Sequence, residues 1–61
     1  VNTLLKPAND LHSAALGHYQ KGTFAEAAKA FERAAESYAR EGERAMAAEM
    51  QSNLGVALRG L

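Results

Sequence analysis

The stretch Gly-Thr-Phe-Ala-Glu-Ala at residues 22–27 predicts a tight turn between two helices. Gly22 suits the left-handed conformation that ends many helices. Thr23 and Glu26 have the spacing of a capping box, in which each side chain accepts a hydrogen bond from the other residue's backbone N–H. The stretch therefore indicates where one helix stops and where the next one begins.

Apolar side chains extend in both directions from this turn at helical spacing. The second helix has the longest stripe, which comprises Phe24, Ala27, Ala28, Phe31, Ala34, Ala35 and Tyr38. The stripes on either side comprise Leu11, Ala14, Ala15 and His18 before the turn, and Met46, Ala47, Met50, Leu54, Ala57, Leu58 and Leu61 after Gly42. We predict three helices, over about 8–20, 24–41 and 44–60, after an irregular lead-in at 1–7. Pro7 is placed where its missing N–H costs nothing, at the first helical position.

The composition favours an all-α fold and excludes several classes of function. Alanine, the best helix former, dominates the sequence, and β-branched residues are few. Lys plus Arg and Asp plus Glu are both 7, so no excess charge favours nucleic acid or an anionic membrane. There is no cysteine, and we find neither a secretory signal nor a run that could span a bilayer. We expect a cytoplasmic protein that binds neither nucleic acid nor membrane.

The third predicted helix repeats the pattern of the first. Leu11-x-x-Ala14-Ala15 aligns with Gln51-x-x-Leu54-Gly55, at an offset of 40 residues. A fixed offset of this size is typical of repeat proteins, in which each unit is one supersecondary element. The chain therefore reads as antiparallel helix-turn-helix repeats, with the second helix between two copies of the first.

This pattern resembles the tetratricopeptide repeat family. The residues that carry the resemblance are Ala27-x-x-x-Phe31-x-x-Ala34, the turn Gly22-x-Phe24, and Asn53-Leu54-Gly55. The family's usual Trp is absent, and the offset of 40 exceeds the common period of 34 residues. The longer offset is similar to the longer-repeat variety of the family. The resemblance covers residues 8–61, or about one and a half repeats, and implies an α-α superhelix.

The resemblance also implies a function, which is protein–protein interaction. In this family the first helix of each repeat lines a concave face that holds a peptide or a partner protein. The corresponding residues are Asn9, His12, Ser13, Leu16 and Tyr19 from the first helix, and Glu49, Ser52, Asn53, Val56 and Arg59 from the third. Two alternatives stay open: Leu16 and Tyr19 could instead pack on the third helix or on a partner subunit, and Asn53 could bond within the scaffold.

Catalytic and metal-binding patterns are not found in the sequence. His12 and His18 are six residues apart and point to different sides of a helix, with no cysteine or carboxylate at ligand spacing. The five glycines form no phosphate-binding loop. We therefore expect no enzymatic activity, no metal and no cofactor.

The third helix is expected to need a partner. Its apolar stripe would remain in water in an isolated chain, and repeat units do not bury their apolar faces alone. We expect a homo-oligomer, such as a dimer, through residues 44–60, by simple association or by exchange of this helix. Alternatives are a fragment of a longer repeat array, and an element whose only function is self-assembly. A DNA-binding helix-turn-helix is disfavoured because the third helix offers only Arg44 and Arg59 as cations.

Overall fold

The computed structural model describes residues 3–61 and consists of three α-helices joined by short turns. A 3-10 helix, Thr3–Leu5, leads into α1 (Lys6–Lys21), which is followed by α2 (Phe24–Arg40) and α3 (Arg44–Arg59). The described part of the chain contains no strand. The predicted all-α fold of three helices is confirmed, and α2 and α3 begin where the sequence predicted.

The predicted lead-in is wrong over its described part, because α1 begins at Lys6. The 3-10 helix directly precedes it, and Pro7 lies in the first turn of α1, where helices tolerate proline. Lys6 Nζ contacts Asp10 Oδ2 at 2.8 Å across this first turn. Val1 and Asn2, where the predicted lead-in starts, lie outside the described residues.

Consecutive helices are antiparallel, and α2 is the central one. The end of α1 meets the start of α2, since the Tyr19 and Phe24 rings are 5.2 Å apart. At the other end of the pair, the Tyr38 hydroxyl donates to Asn9 Oδ1. Gly60, just after α3, lies directly against the ring of Phe24. Because α1 and α3 both run against α2, they run in the same direction as each other.

The two interhelical turns have the same backbone geometry. Gly22 and Gly42 are left-handed, with φ of 81° and 78°. The next N–H reaches back five residues in each turn, from Thr23 to His18 O at 3.0 Å and from Glu43 to Tyr38 O at 2.9 Å. This hydrogen bond is the mark of the Schellman motif. The helices are therefore joined twice by one type of turn, 20 residues apart.

The predicted capping box at Thr23 is wrong. Its hydroxyl donates to His18 O at 2.9 Å and lies 3.1 Å from His18 Nδ1, and no side chain caps α2. Because the single hydroxyl hydrogen goes to the carbonyl, the oxygen accepts from the Nδ1–H of His18. The Thr23 N–H is also taken, by the Schellman bond. Both groups that the capping box needs are thus engaged with α1.

Alanine forms most of the core. Eight residues of α2 are buried, and they include every member of its predicted stripe except Phe24, which is half-buried. Tyr38 and Met50 are the largest side chains that are fully buried. In α1 the buried residues are Ala8 and Ala15, seven apart, whereas Ala14 is exposed. The prediction that Ala14 belongs to the core is wrong because α1 buries only the side of the helix that carries Ala8 and Ala15.

Two glycines, one inside α1 and one directly after it, should respond oppositely to substitution by alanine. Gly17 lies inside the helix, where a Cβ would meet no atom within 4 Å, so Gly17→Ala should stabilise the chain by about 0.5–1 kcal/mol. Gly22→Ala places a side chain at a left-handed residue and should cost about 1–2 kcal/mol. Urea unfolding followed by circular dichroism measures both changes. Equal effects of the two substitutions would contradict the assigned turn.

A candidate binding groove between the first and third helices

Four of the residues expected to bind a partner line one pocket between α1 and α3. Leu16 and Tyr19 form one wall, Asn53 and Val56 form the other, and Phe31 of α2 lies between them. The pocket has a volume of about 120 Å³. We refer to these five residues as the interhelical groove.

The helix arrangement explains why these side chains meet. Because α1 and α3 run in the same direction on the same central helix, residues three apart on each, 16 with 19 and 53 with 56, lie on facing sides. Leu16, Tyr19 and Val56 remain 43%, 38% and 37% exposed. Leu16 and Tyr19 therefore face α3 across an open groove, and the alternative that they pack on α3 or on a partner subunit stays open.

The surroundings of Tyr19, Phe31 and Asn53 indicate how the groove is built. The ring of Tyr19 lies edge-on to Phe24, with an angle of 61° between the planes. Phe31, at the base, is only 2% exposed. Asn53 is half-buried, and its side chain forms no hydrogen bond with any residue of 3–61. Its amide, which can donate and accept, is therefore available to a ligand.

Asn9 and His12 are placed elsewhere, around the buried ring of Tyr38. Asn9 accepts the hydrogen bond of the Tyr38 hydroxyl. The ring of His12 lies edge-on to that of Tyr38, with centroids 6.5 Å apart. These two side chains join α1 to α2, and neither of them lines the pocket. The Tyr38 end of the molecule is thus a structural junction.

The pKa of the Tyr38 phenol is raised by its surroundings. Burial raises the pKa of its phenol, and the negative charges of Glu49 and Glu43 raise it further, because all three effects disfavour the phenolate. Glu49, a predicted binding residue, is therefore near this junction. It is exposed but does not line the pocket.

The remaining predicted residues are on the surface outside the groove. Ser13, Ser52 and Arg59 are exposed. The Arg59 guanidinium folds back along α3, with Nη1 3.9 Å from the position of a Cβ at Gly55. Phe31 lines the groove but was not among the predicted site residues. Its position seven residues from both Phe24 and Tyr38 could have placed it on the same face of α2 as those rings.

Apolar and aromatic side chains dominate the lining of the groove. Within residues 3–61 no group of three or more His, Cys, Asp or Glu side chains could hold a metal ion. The groove itself contains four apolar or aromatic side chains and one amide.

None of the helices from residue 3 onward combines the length and apolarity needed to cross a bilayer.

Comparison with known proteins adds no relative. No protein-family model, curated protein or solved structure matches this chain. The resemblance to tetratricopeptide repeats therefore depends on the motif residues around Gly22, Phe31 and Asn53.

Proposed function

We propose that the chain is a non-catalytic protein-interaction module that binds a peptide segment of a partner protein in the interhelical groove. The observation that carries the proposal is the convergence of exposed Leu16, Tyr19 and Val56 over the buried ring of Phe31. Exposed apolar side chains that meet in a concavity are typical of binding sites. Their burial by a ligand is the source of affinity.

The size of the groove indicates what part of a partner it accepts. Its volume of about 120 Å³ is below the roughly 300–1,000 Å³ of small-molecule sites. One aliphatic or aromatic side chain of a peptide fits this space. The amide of Asn53, at the edge, can then donate to a backbone carbonyl of the peptide or accept from its N–H.

We also infer that the chain is a tetratricopeptide-type unit of the longer-repeat variety, about one and a half repeats long. The motif residues and the 40-residue offset support this assignment. The use of one turn geometry at both Gly22 and Gly42 supports a repeated architecture. In such an arrangement α1 and α3 are the equivalent helices, and the interhelical groove lies between them.

The peptide site is tested by selection followed by substitution. The purified chain is used to select from a displayed library of random peptides, and enriched peptides are titrated by calorimetry. We expect the enriched peptides to share one apolar residue. Val56→Ser and Asn53→Ala should each weaken binding about tenfold, since hot-spot contacts contribute more than about 1 kcal/mol.

Leu58→Ser is the matched control, because Leu58 is also an exposed apolar residue of α3 but lies outside the groove. It should leave the affinity for the selected peptide unchanged. Thermal unfolding of each variant confirms that the fold is retained. The proposal is wrong if no peptide is enriched, or if Leu58→Ser and Val56→Ser weaken binding equally.

Self-assembly is the second candidate function. One observation favours it: Leu58 and Leu61, at the end of the chain, are 52% and 75% exposed. These two leucines lie outside the interhelical groove, on a surface that they share with α2.

A further inference from the structure

A second groove lies between α2 and α3 and shares no residue with the interhelical groove. Ala25 and Ala28 of α2 form one side, and the other side is formed by Leu54 and Leu58 of α3 together with Leu61, which follows α3. We call this surface the α2–α3 groove. It combines small side chains on α2 with three leucines opposite them, of which Leu58 and Leu61 are exposed and Leu54 is half-buried.

This combination makes the α2–α3 groove complementary to itself. A two-fold axis brings the same patch of two subunits together, so that a residue i contacts j and j contacts i. With such an axis, the leucines of each α3 can enter the space above Ala25 and Ala28 of the other copy. We propose that the α2–α3 groove is the interface of a two-fold symmetric dimer, with a second copy of this chain as its occupant.

Charge supports the same occupant. The charged residues that line the groove are Lys29 and Glu32 of α2. Neither forms an ion pair within the part of the chain that the structure describes. A rim with one cation and one anion is neutral, and two-fold symmetry allows Lys29 of each copy to pair with Glu32 of the other. A rim with two like charges would instead repel its own copy.

A head-to-tail arrangement is less favourable. It would place the α2–α3 groove of one copy on the α1–α2 surface of the next. That surface offers Leu11, Ala14 and Ala30 beside the charged residues Glu26, Lys29 and Arg33. Leu11 is already half-buried in its own chain, and no exposed leucine lines that surface. Only the two-fold pair covers the leucines of both copies at once, and it closes without forming a filament.

Exchange of α3 between copies is not required. Met50 and Ala57 of α3 are fully buried in their own chain, and the turn at Gly42 is closed by hydrogen bonds. Two folded chains therefore associate through a preformed surface. This inference does not depend on peptide binding in the interhelical groove.

Analytical ultracentrifugation of the 61-residue chain over a range of concentrations tests the proposal. The expected result is a reversible dimer with no larger species. Leu58→Glu should weaken dimerisation about 100-fold, because a buried carboxylate would have no partner. Leu16→Glu, an equivalent change in the interhelical groove, should leave the dimer intact while abolishing peptide binding. The proposal is overturned if the wild-type chain remains a monomer at high micromolar concentration.

A charge exchange tests the two-fold arrangement. Lys29→Glu and Glu32→Lys should each weaken the homodimer about tenfold, since each creates a rim of like charges. An equimolar mixture of the two variants should recover wild-type affinity as a heterodimer. If the mixture associates no more tightly than either variant alone, the two-fold pairing is wrong.

Ala14→Arg tests the head-to-tail arrangement. It should leave dimerisation unchanged, and loss of assembly in that variant would demonstrate head-to-tail association instead. Circular dichroism verifies that every variant is folded.

Discussion

Tyr38→Ala should unfold most of the molecules at room temperature. Truncation of a buried aromatic side chain typically costs about 3–5 kcal/mol. A chain of 61 residues has about 3–9 kcal/mol of stability in total, at 0.05–0.15 kcal/mol per residue. The loss is thus comparable to the whole free energy of unfolding. Far-ultraviolet circular dichroism should show a large fall in helix content without denaturant.

The size of this effect follows from the position of Tyr38. Its side chain is 1% exposed and is one of the two largest that are fully buried. The hydroxyl bonds to Asn9 of α1, and the ring meets His12 of the same helix. Truncation therefore leaves a cavity and removes the contacts that hold the start of α1. A variant that keeps its helix content and its urea midpoint would contradict this assignment.

Tyr38→Phe is the matched control, since it removes only the hydroxyl. We expect a loss of about 1 kcal/mol, which is typical of one hydrogen bond. The two chains should also differ in alkali. The raised pKa of Tyr38 means that the folded state holds the phenolic proton more tightly than the unfolded state does. The resulting stability is fully present below about pH 10, the ordinary tyrosine value, and is lost as the pH rises above it. Tyr38→Phe should lose less stability over that range, as measured by urea unfolding at each pH.

The helices could be predicted from the sequence because helix formation here depends on local pattern. The steps of three and four residues from Phe24 to Tyr38 place one face inward whatever the partner is. Gly22 and Gly42 marked the turns because a left-handed residue favours glycine on local steric grounds. The pairing of Leu16 and Tyr19 with Asn53 and Val56 was accessible through the 40-residue offset, which makes α1 and α3 equivalent.

Other features depend on contacts between helices and could not be read from spacing. Thr23 has a capping-box pattern, but the competing acceptor, His18 O, is brought to it by the turn itself. The sequence placed Asn9 and His12 on the binding face with Leu16, and it did not predict their contacts with Tyr38, which lies on another helix. Local pattern determines which groups can bond, and tertiary packing determines which partner is closest.

The second large effect on stability concerns two neighbouring alanines of α1, of which only one is buried. Ala15 is fully buried where α1 packs on α2, whereas Ala14 is exposed. Ala15→Leu adds three carbon atoms at this fully buried site and should cost about 1–3 kcal/mol, because α1 must move away from α2.

Ala14→Leu is the internal control for this change, since it adds the same atoms to the same helix one residue away. At an exposed site the effect should stay within about 0.5 kcal/mol. Urea midpoints of the two variants, compared with wild type, measure the difference. A sequence pattern that treats both alanines as core predicts similar losses, whereas the burial of Ala15 and the exposure of Ala14 predict a loss for Ala15 only. Movement of α1 would also widen the interhelical groove. Ala15→Leu should therefore lower the affinity for a peptide selected on the wild-type chain, even in molecules that remain folded.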